Sequence, residues 1–303
     1  MKHATLKTAL VAALLATAPL TQAQTATLPE TTFGGLLETS IQHEDADGVE
    51  KGENTQFVLD TVEIALGAQV NEHVFGEVVL LQEDIGTDDK TDFEVDTALI
   101  GLNTGMGTLT AGKMIVPFTT GETQMISDSM TLVEPNGNGL GFDTQLGPLE
   151  VSTYVVDPDN GYINEDYDGD TSLEQGELGW GDLAGINAYW PVNEYLAFNG
   201  SYAKIDDDNA YSGAAFLNVN NFGLIAEGTD LEVEDHTRYN VEAFYESNLG
   251  TFSVAGQRDG EDQDSILVGY NKEIYTNTHF LLEYNQNTDT DDKLYQAMLA
   301  VEF

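Results

Sequence analysis

From about Thr31 onward the chain alternates apolar and polar residues, in one stretch of about ten residues after another. Val62, Ile64, Leu66, Ala68 and Val70 fall on one side, with Thr61, Glu63, Gly67 and Gln69 on the other. Ala184, Ile186, Ala188 and Trp190 oppose Gly185, Asn187 and Tyr189, and Tyr239, Val241, Ala243 and Tyr245 oppose Asn240, Glu242 and Glu246. Ile266, Val268 and Tyr270 share a face, as do Phe280, Leu282 and Tyr284. A period of two marks strands with one side in an apolar medium. Aromatic residues fall near the ends of the apolar faces, where an interfacial girdle would lie.

The connections between these segments also alternate. Short turns fall near residues 71–72, 103–107, 147–148, 191–194, 219–221, 248–250 and 275–277. Longer, acidic connections fall near 44–54, 85–91, 117–137, 157–181, 206–209, 229–236, 259–264 and 288–292. A membrane barrel separates its turns and loops onto two rims in this way. The stretch 210–228 reads either as a hairpin or as one long strand. The count is about 16 strands, an even number that leaves both ends on one side.

The chain ends sharpen this. Lys2, His3 and Lys7 precede a small, apolar run at 8–18, followed by Thr21 and Ala23 at the −3 and −1 positions of a cleavage site. This is the layout of a secretory signal peptide over residues 1–23, with 24–303 as a single barrel. The final segment places Tyr295, Ala297, Leu299, Val301 and Phe303 on one face and closes on that aromatic. After residue 23 no apolar run suffices for a membrane-spanning helix, so any spanning structure must be a closed barrel. The expected fold is therefore all-β: a transmembrane, antiparallel, up-and-down β-barrel in the outer membrane of a Gram-negative bacterium.

Composition changes the picture in three ways. A hydrophobic content of 41% suits strands that are apolar at every second position. With no cysteine, stability must come from the backbone ladder and packing. With 10 basic and 53 acidic residues, nucleic acid is excluded as a partner. The acidic excess fits a surface in saline surroundings, and equally a channel whose field favours cations.

Residues 57–157 carry a resemblance. TAGKMIVPF at Thr110–Phe118 and ETQMISDSMTL at Glu122–Leu132 are its most specific pieces. In this order they resemble the outer-membrane siderophore porins of the LbtU type. The resemblance implies a single-chain barrel that passes ferric siderophore complexes, without a separate plug domain. It covers about a third of the chain, and the rest agrees only in barrel pattern.

Selectivity in a channel is set by the groups at its narrowest part. The connection after Lys113–Phe118 contains Met125, Ile126, Met130 and Leu132, which water would not favour. It either folds into the lumen, presenting Glu122 and Asp128 to the pore, or packs on the surface. Lys113 either faces the lumen opposite Glu122, Asp128 or Glu63, or snorkels at a strand end. Glu63, Glu94, Asp96 and Glu242 lie within strand patterns and are expected to point inward, because the lipid side penalises charge. A slip of one residue would reverse that assignment.

Asp166, Asp168 and Asp170, with Gly169 and Glu174, are spaced like the start of a calcium loop. The closing Glu comes one residue early, so the readings are a weakly bound Ca2+ or a solvated acidic loop. No cofactor is required. His43, His73, His236 and His279 form no metal pair at helical spacing and adjoin no nucleophile motif. The expected activity is passage of small solutes, with iron-siderophore complexes as the sharper form. A general cation-preferring porin, a barrel enzyme and a filled structural barrel are the alternatives. The partners are outer-membrane lipid and a small solute, and the pattern leaves a homotrimer open.

Overall fold

The computed structural model describes residues 30–46, 54–85, 91–129, 131, 135–158, 183–205, 208–232, 236–259 and 263–303. The strands are β1 (Glu30–Asp45), β2 (Thr55–Gln69), β3 (Val74–Ile85), β4 (Glu94–Asn103), β5 (Thr108–Ile115), β6 (Asn136–Leu146), β7 (Leu149–Pro158) and β8 (Leu183–Pro191). They continue as β9 (Leu196–Ile205), β10 (Asp208–Val219), β11 (Phe222–Leu231), β12 (His236–Ser247), β13 (Gly250–Arg258), β14 (Asp264–Tyr275), β15 (Thr278–Asn287) and β16 (Lys293–Glu302). Each pairs antiparallel with its neighbours in sequence, and β1 pairs with β16, so the sheet closes.

The last strand makes the seam. Leu36 registers with Glu302 and Asp45 with Lys293, and Gly35 and Phe303 exchange backbone hydrogen bonds of 3.0 and 3.1 Å. Closure satisfies the ladder where lipid offers no partner, and it leaves no edge to aggregate.

The alternation sorts the side chains. Phe33, Ile41, Phe57, Ile100, Trp190, Val241, Val254, Val268 and Leu299 stand exposed on the outward face. Aromatic pairs ring that face near both ends of the strands. Phe33–Phe303, Trp190–Phe198, Phe222–Tyr245 and Phe252–Tyr270 lie at the rim of short turns. Tyr202–Tyr211, Tyr284–Tyr295 and His43–Tyr295 lie at the loop rim. Rings with an apolar body and a polar tip suit a membrane interface. Thr61, Glu63, Asn187, Ser201, Asn240 and Glu242 turn inward and are buried.

Residues 210–228 form a hairpin: β10 and β11 pair from Ala210↔Leu231 to Val219↔Phe222 across Asn220-Asn221. Asn220 takes φ +56°, a conformation that asparagine tolerates better than most residues. The connection expected to be long near 206–209 is short, because β9 ends at Ile205 and β10 begins at Asp208. Acidic composition suggests a long loop there, but composition does not set the length of a connection.

Candidate functional site

Past Ile115 the chain turns into the barrel. Val116 N–H donates to the Pro135 carbonyl at 2.8 Å, which closes the neck of a loop over residues 116–135. Val116 and Phe118 are buried among Met114, Tyr154, Val156, Leu183, Ala203, Ile205, Ala210 and Leu231. This apolar patch on the inward side of β5 and β7–β11 explains why the loop enters. Exposed to a wet lumen, the patch would carry the full hydrophobic cost, and the first limb of the loop covers it.

The loop then runs along the inner wall from β11 to β16, and three wall carboxylates hold it. Glu227 accepts from Thr120 N–H (2.8 Å), Gly121 N–H (3.2 Å) and the Thr120 and Thr131 hydroxyls (3.1 and 2.9 Å). Ser212 of β10 adds a fifth bond at 3.3 Å. Glu242 accepts from the Thr123 hydroxyl (2.7 Å) and Gln124 N–H (2.9 Å). Glu283 accepts from Ile126 N–H (2.6 Å), Ser127 N–H (3.0 Å) and the Ser127 hydroxyl. An irregular loop has no ladder to use its N–H groups, so these must find acceptors elsewhere. Bonds of this kind to a charged acceptor contribute about 1.5–3 kcal/mol each, not additively.

Apolar contacts fix the rest. Met125 is buried with Ala255 and Leu267, and its Sδ lies 3.4 Å from the Ser253 hydroxyl. Ile126 packs on Leu281, Met298 and Ala300. A Cβ at Gly269 would stand 2.6 Å from the Met125 sulfur and 2.5 Å from Ser253 Oγ, so the absence of a side chain there makes room for the loop. The return limb is tied by the Thr229 hydroxyl, which donates to the Thr131 carbonyl at 3.3 Å.

The residues singled out from sequence are distributed as follows. Glu63 faces inward on β2 in register with Leu81, and Glu94 faces inward on β4 opposite the same leucine. Asp96 is the unpaired residue of a bulge between Val95 and Thr97, and the Thr97 hydroxyl donates to it at 3.3 Å. Glu242 is fully buried beneath the loop, as an anchor rather than a pore-facing charge. Glu122 is half-buried on the loop, and Asp128 is exposed on it. Lys113 departs from the expectation that it faces the lumen. It registers with Ala98 and Asn138 and shares the outward face of Ala111 and Ile115, while Met114 next to it turns inward. Its place at the end of β5 suits an ammonium that snorkels to the rim. Asp166, Asp168, Asp170 and Glu174 lie outside the described residues. Glu227 and Glu283 were missed from sequence because their loop partners lie between 96 and 157 residues away.

Charge on the inner face is one-sided. Glu38, Glu63, Glu77, Glu83 and Glu94 face inward on β1–β4. Lys204, Arg258, Lys272 and Lys293 lie on the outward face, and among the described residues Arg238 is the one strand lysine or arginine turned inward. Burial, and then the repulsion of Glu227, raise the Glu122 carboxyl above its ordinary range. Tyr189 on β8 registers with Glu150 on the adjacent strand.

No known family model matches the chain, nor does the sequence of any curated protein. Solved structures do resemble it. A variant of Rhodopseudomonas blastica porin with five substitutions shares 12% identity, covering 90% of this chain and 100% of that one, with a TM-score of 0.64. A loop L8 deletion variant of OmpT, an outer membrane protein of Vibrio cholerae, shares 12% identity over 91% of this chain and 99% of that one, with a TM-score of 0.62. At such identity the likeness is one of fold.

Proposed function

We propose that this chain is a porin of the Gram-negative outer membrane, through which small solutes diffuse down their gradients with cations favoured. The observation that carries this reading is the loop 116–135 held along the inner wall by Glu227, Glu242 and Glu283. A barrel of sixteen strands is too wide for its side chains to fill, and an inward loop narrows it without closing the sheet. The glutamates of β1–β4, with so few inward bases, give the passage a negative potential that concentrates cations.

Passage of iron-siderophore complexes is the sharper reading. It is favoured by the resemblance at residues 110–118 and 122–132, which fall on β5 and the inward loop themselves. An acidic lumen would admit neutral or positively charged chelates more readily than anionic ones. Single-channel current through the refolded protein under a salt gradient tests the porin reading. Discrete steps with a cation-favouring reversal potential are expected, and blockade by a ferric siderophore would support the sharper form. No current from a verified, folded barrel would overturn both.

A further inference from the structure

The strand aromatics that turn into the lumen fall into two sets. Phe75, Tyr154 and Phe244 are buried, and each faces a glycine of the neighbouring strand in register: Gly101, Gly185 and Gly223. A Cβ on these glycines would stand 1.9, 2.4 and 1.9 Å from the facing side chain. These rings fill the space that a missing side chain leaves, which is a packing role. Tyr189 on β8 and Phe216 on β10 also turn inward, but neither faces a glycine. Tyr189 registers with Glu150 and Asn199, and Phe216 with Ala197 and Ile225. Both are part-exposed, and neither joins a buried apolar cluster or a ring pair among the described residues. Apolar ring surface left toward a wet lumen costs free energy, and packing does not account for it here.

The two rings flank Ala197 and Asn199 of β9, two strands and two residues apart, which sets their Cα atoms about 12 Å from each other. They make no contact with one another, so a guest has room at or between them. The first limb of the loop crosses the same strands nearer the loop rim, over Leu183, Ala203 and Ala210, and the rings lie on its turn side. The charge around them is negative. Glu150 is exposed beside Tyr189. The register row of Tyr189 runs through Asn199 and Ala214 to Glu227, where Thr120 and Gly121 of the loop are bound, and Glu122 is the next loop residue. The neutral polar groups of this wall are already spent on each other. Asn187 donates to Asn199 at 2.9 Å and to Ser201 at 2.7 Å, and Asn199 donates back at 3.3 Å. A sugar would need those groups, whereas a cation needs the ring faces and the carboxylates.

We propose that Tyr189 and Phe216 form a station for organic ammonium solutes, choline-like quaternary amines in particular, with Glu150 and Glu122 supplying the charge. A ring face attracts a cation through its quadrupole, and the attraction grows when the cation is poorly hydrated. A quaternary ammonium meets both conditions, because its methyl groups cover the ring and shed water easily. A small metal ion keeps its water and gains little from a ring. The station names a solute class for the porin reading and rests on that reading for passage, but not for binding.

The probe is choline, with dimethylbutanol as its uncharged carbon isostere. Choline added to single channels in potassium chloride should interrupt the current in a saturable way, and dimethylbutanol should not. Tyr189→Ala together with Phe216→Ala should raise the half-blocking concentration about tenfold, and each change alone by a smaller factor. Glu150→Gln should raise it as well, while Tyr189→Phe, which keeps the ring, should leave it unchanged. Neither ring belongs to a packed cluster, so the alanine variants should keep the barrel. Absence of choline block, equal block in the double and both single alanine variants, or equal block by dimethylbutanol would overturn the station. A folded barrel that carries no current would sink the porin reading instead. The station would then be read by calorimetric titration of choline into the barrel in detergent. Binding that weakens in the alanine variants would support it, and no binding, or binding that the variants leave intact, would overturn it.

Discussion

Glu227 accepts five hydrogen bonds, four of them from one loop, and this makes it the side chain on which the docked state depends most. Glu227→Ala leaves buried donors without acceptors, each worth about 1–3 kcal/mol, so a loss of about 3 kcal/mol is expected in denaturant unfolding from lipid. Gly269→Val acts from the other side. Its branched side chain would enter the space of the Met125 sulfur and push the loop into the passage, lowering single-channel conductance with little change in overall unfolding. Glu122 supplies a pH effect whose sign can be worked out. Its carboxyl is raised in the folded protein, so it stabilises the docked loop when protonated, and that contribution is lost as pH rises through its folded value. Glu122→Gln should reduce cation preference at neutral pH and flatten the dependence of that preference on pH, as read from reversal potentials. Sequence singled out Glu242 because inward positions follow from strand parity, and Glu122 because it lies on a loop whose apolar residues need cover. The lumen reading of Lys113 failed and the strand-end reading held, since one position along a strand exchanges lumen for lipid.

At the scale of elements, the strands were legible because a two-residue period is enforced by lipid on one side and water on the other. The hairpin of β10 and β11 was half legible: a turn near 219–221 was expected, but Asn218 to Asn221 carry no glycine or proline to decide between a hairpin and one long strand. The turn is made by Asn220 in the left-handed region. Asn220→Gly should therefore be nearly neutral, while Asn220→Val should cost about 1–2 kcal/mol, as a β-branched residue is forced to positive φ. Unfolding in lipid bilayers reads both. The inward course of loop 116–135 was half legible. Its methionines and isoleucine said that some apolar surface must cover them, but the surface itself is assembled from β5 and β7–β11 and from β13–β16. Such long-range pairing leaves no local trace in the loop's own residues.

For the whole molecule, the acidic excess divides between two places. Part of it lines the lumen on β1–β4, and part lies in connections on the loop rim such as Asp259 and Asp289–Asp292, where it meets saline solvent. The two respond differently to salt. Exposed rim charges are screened over about 8 Å at physiological ionic strength and over about 3 Å in molar salt. Charges on a wall of low dielectric, flanked by lipid, are screened less, because fewer ions fit between them and a passing solute. If the lumen wall sets selectivity, the cation preference should persist when salt is raised from about 0.1 M to about 1 M, weakening only modestly. If the rim sets it, the preference should collapse over that range while conductance rises in proportion to salt. Reversal potentials at fixed gradient ratio and increasing mean salt decide between them. Neutralising Glu63 and Glu83 together, which sit inward on adjacent strands, should then abolish the salt-resistant part alone.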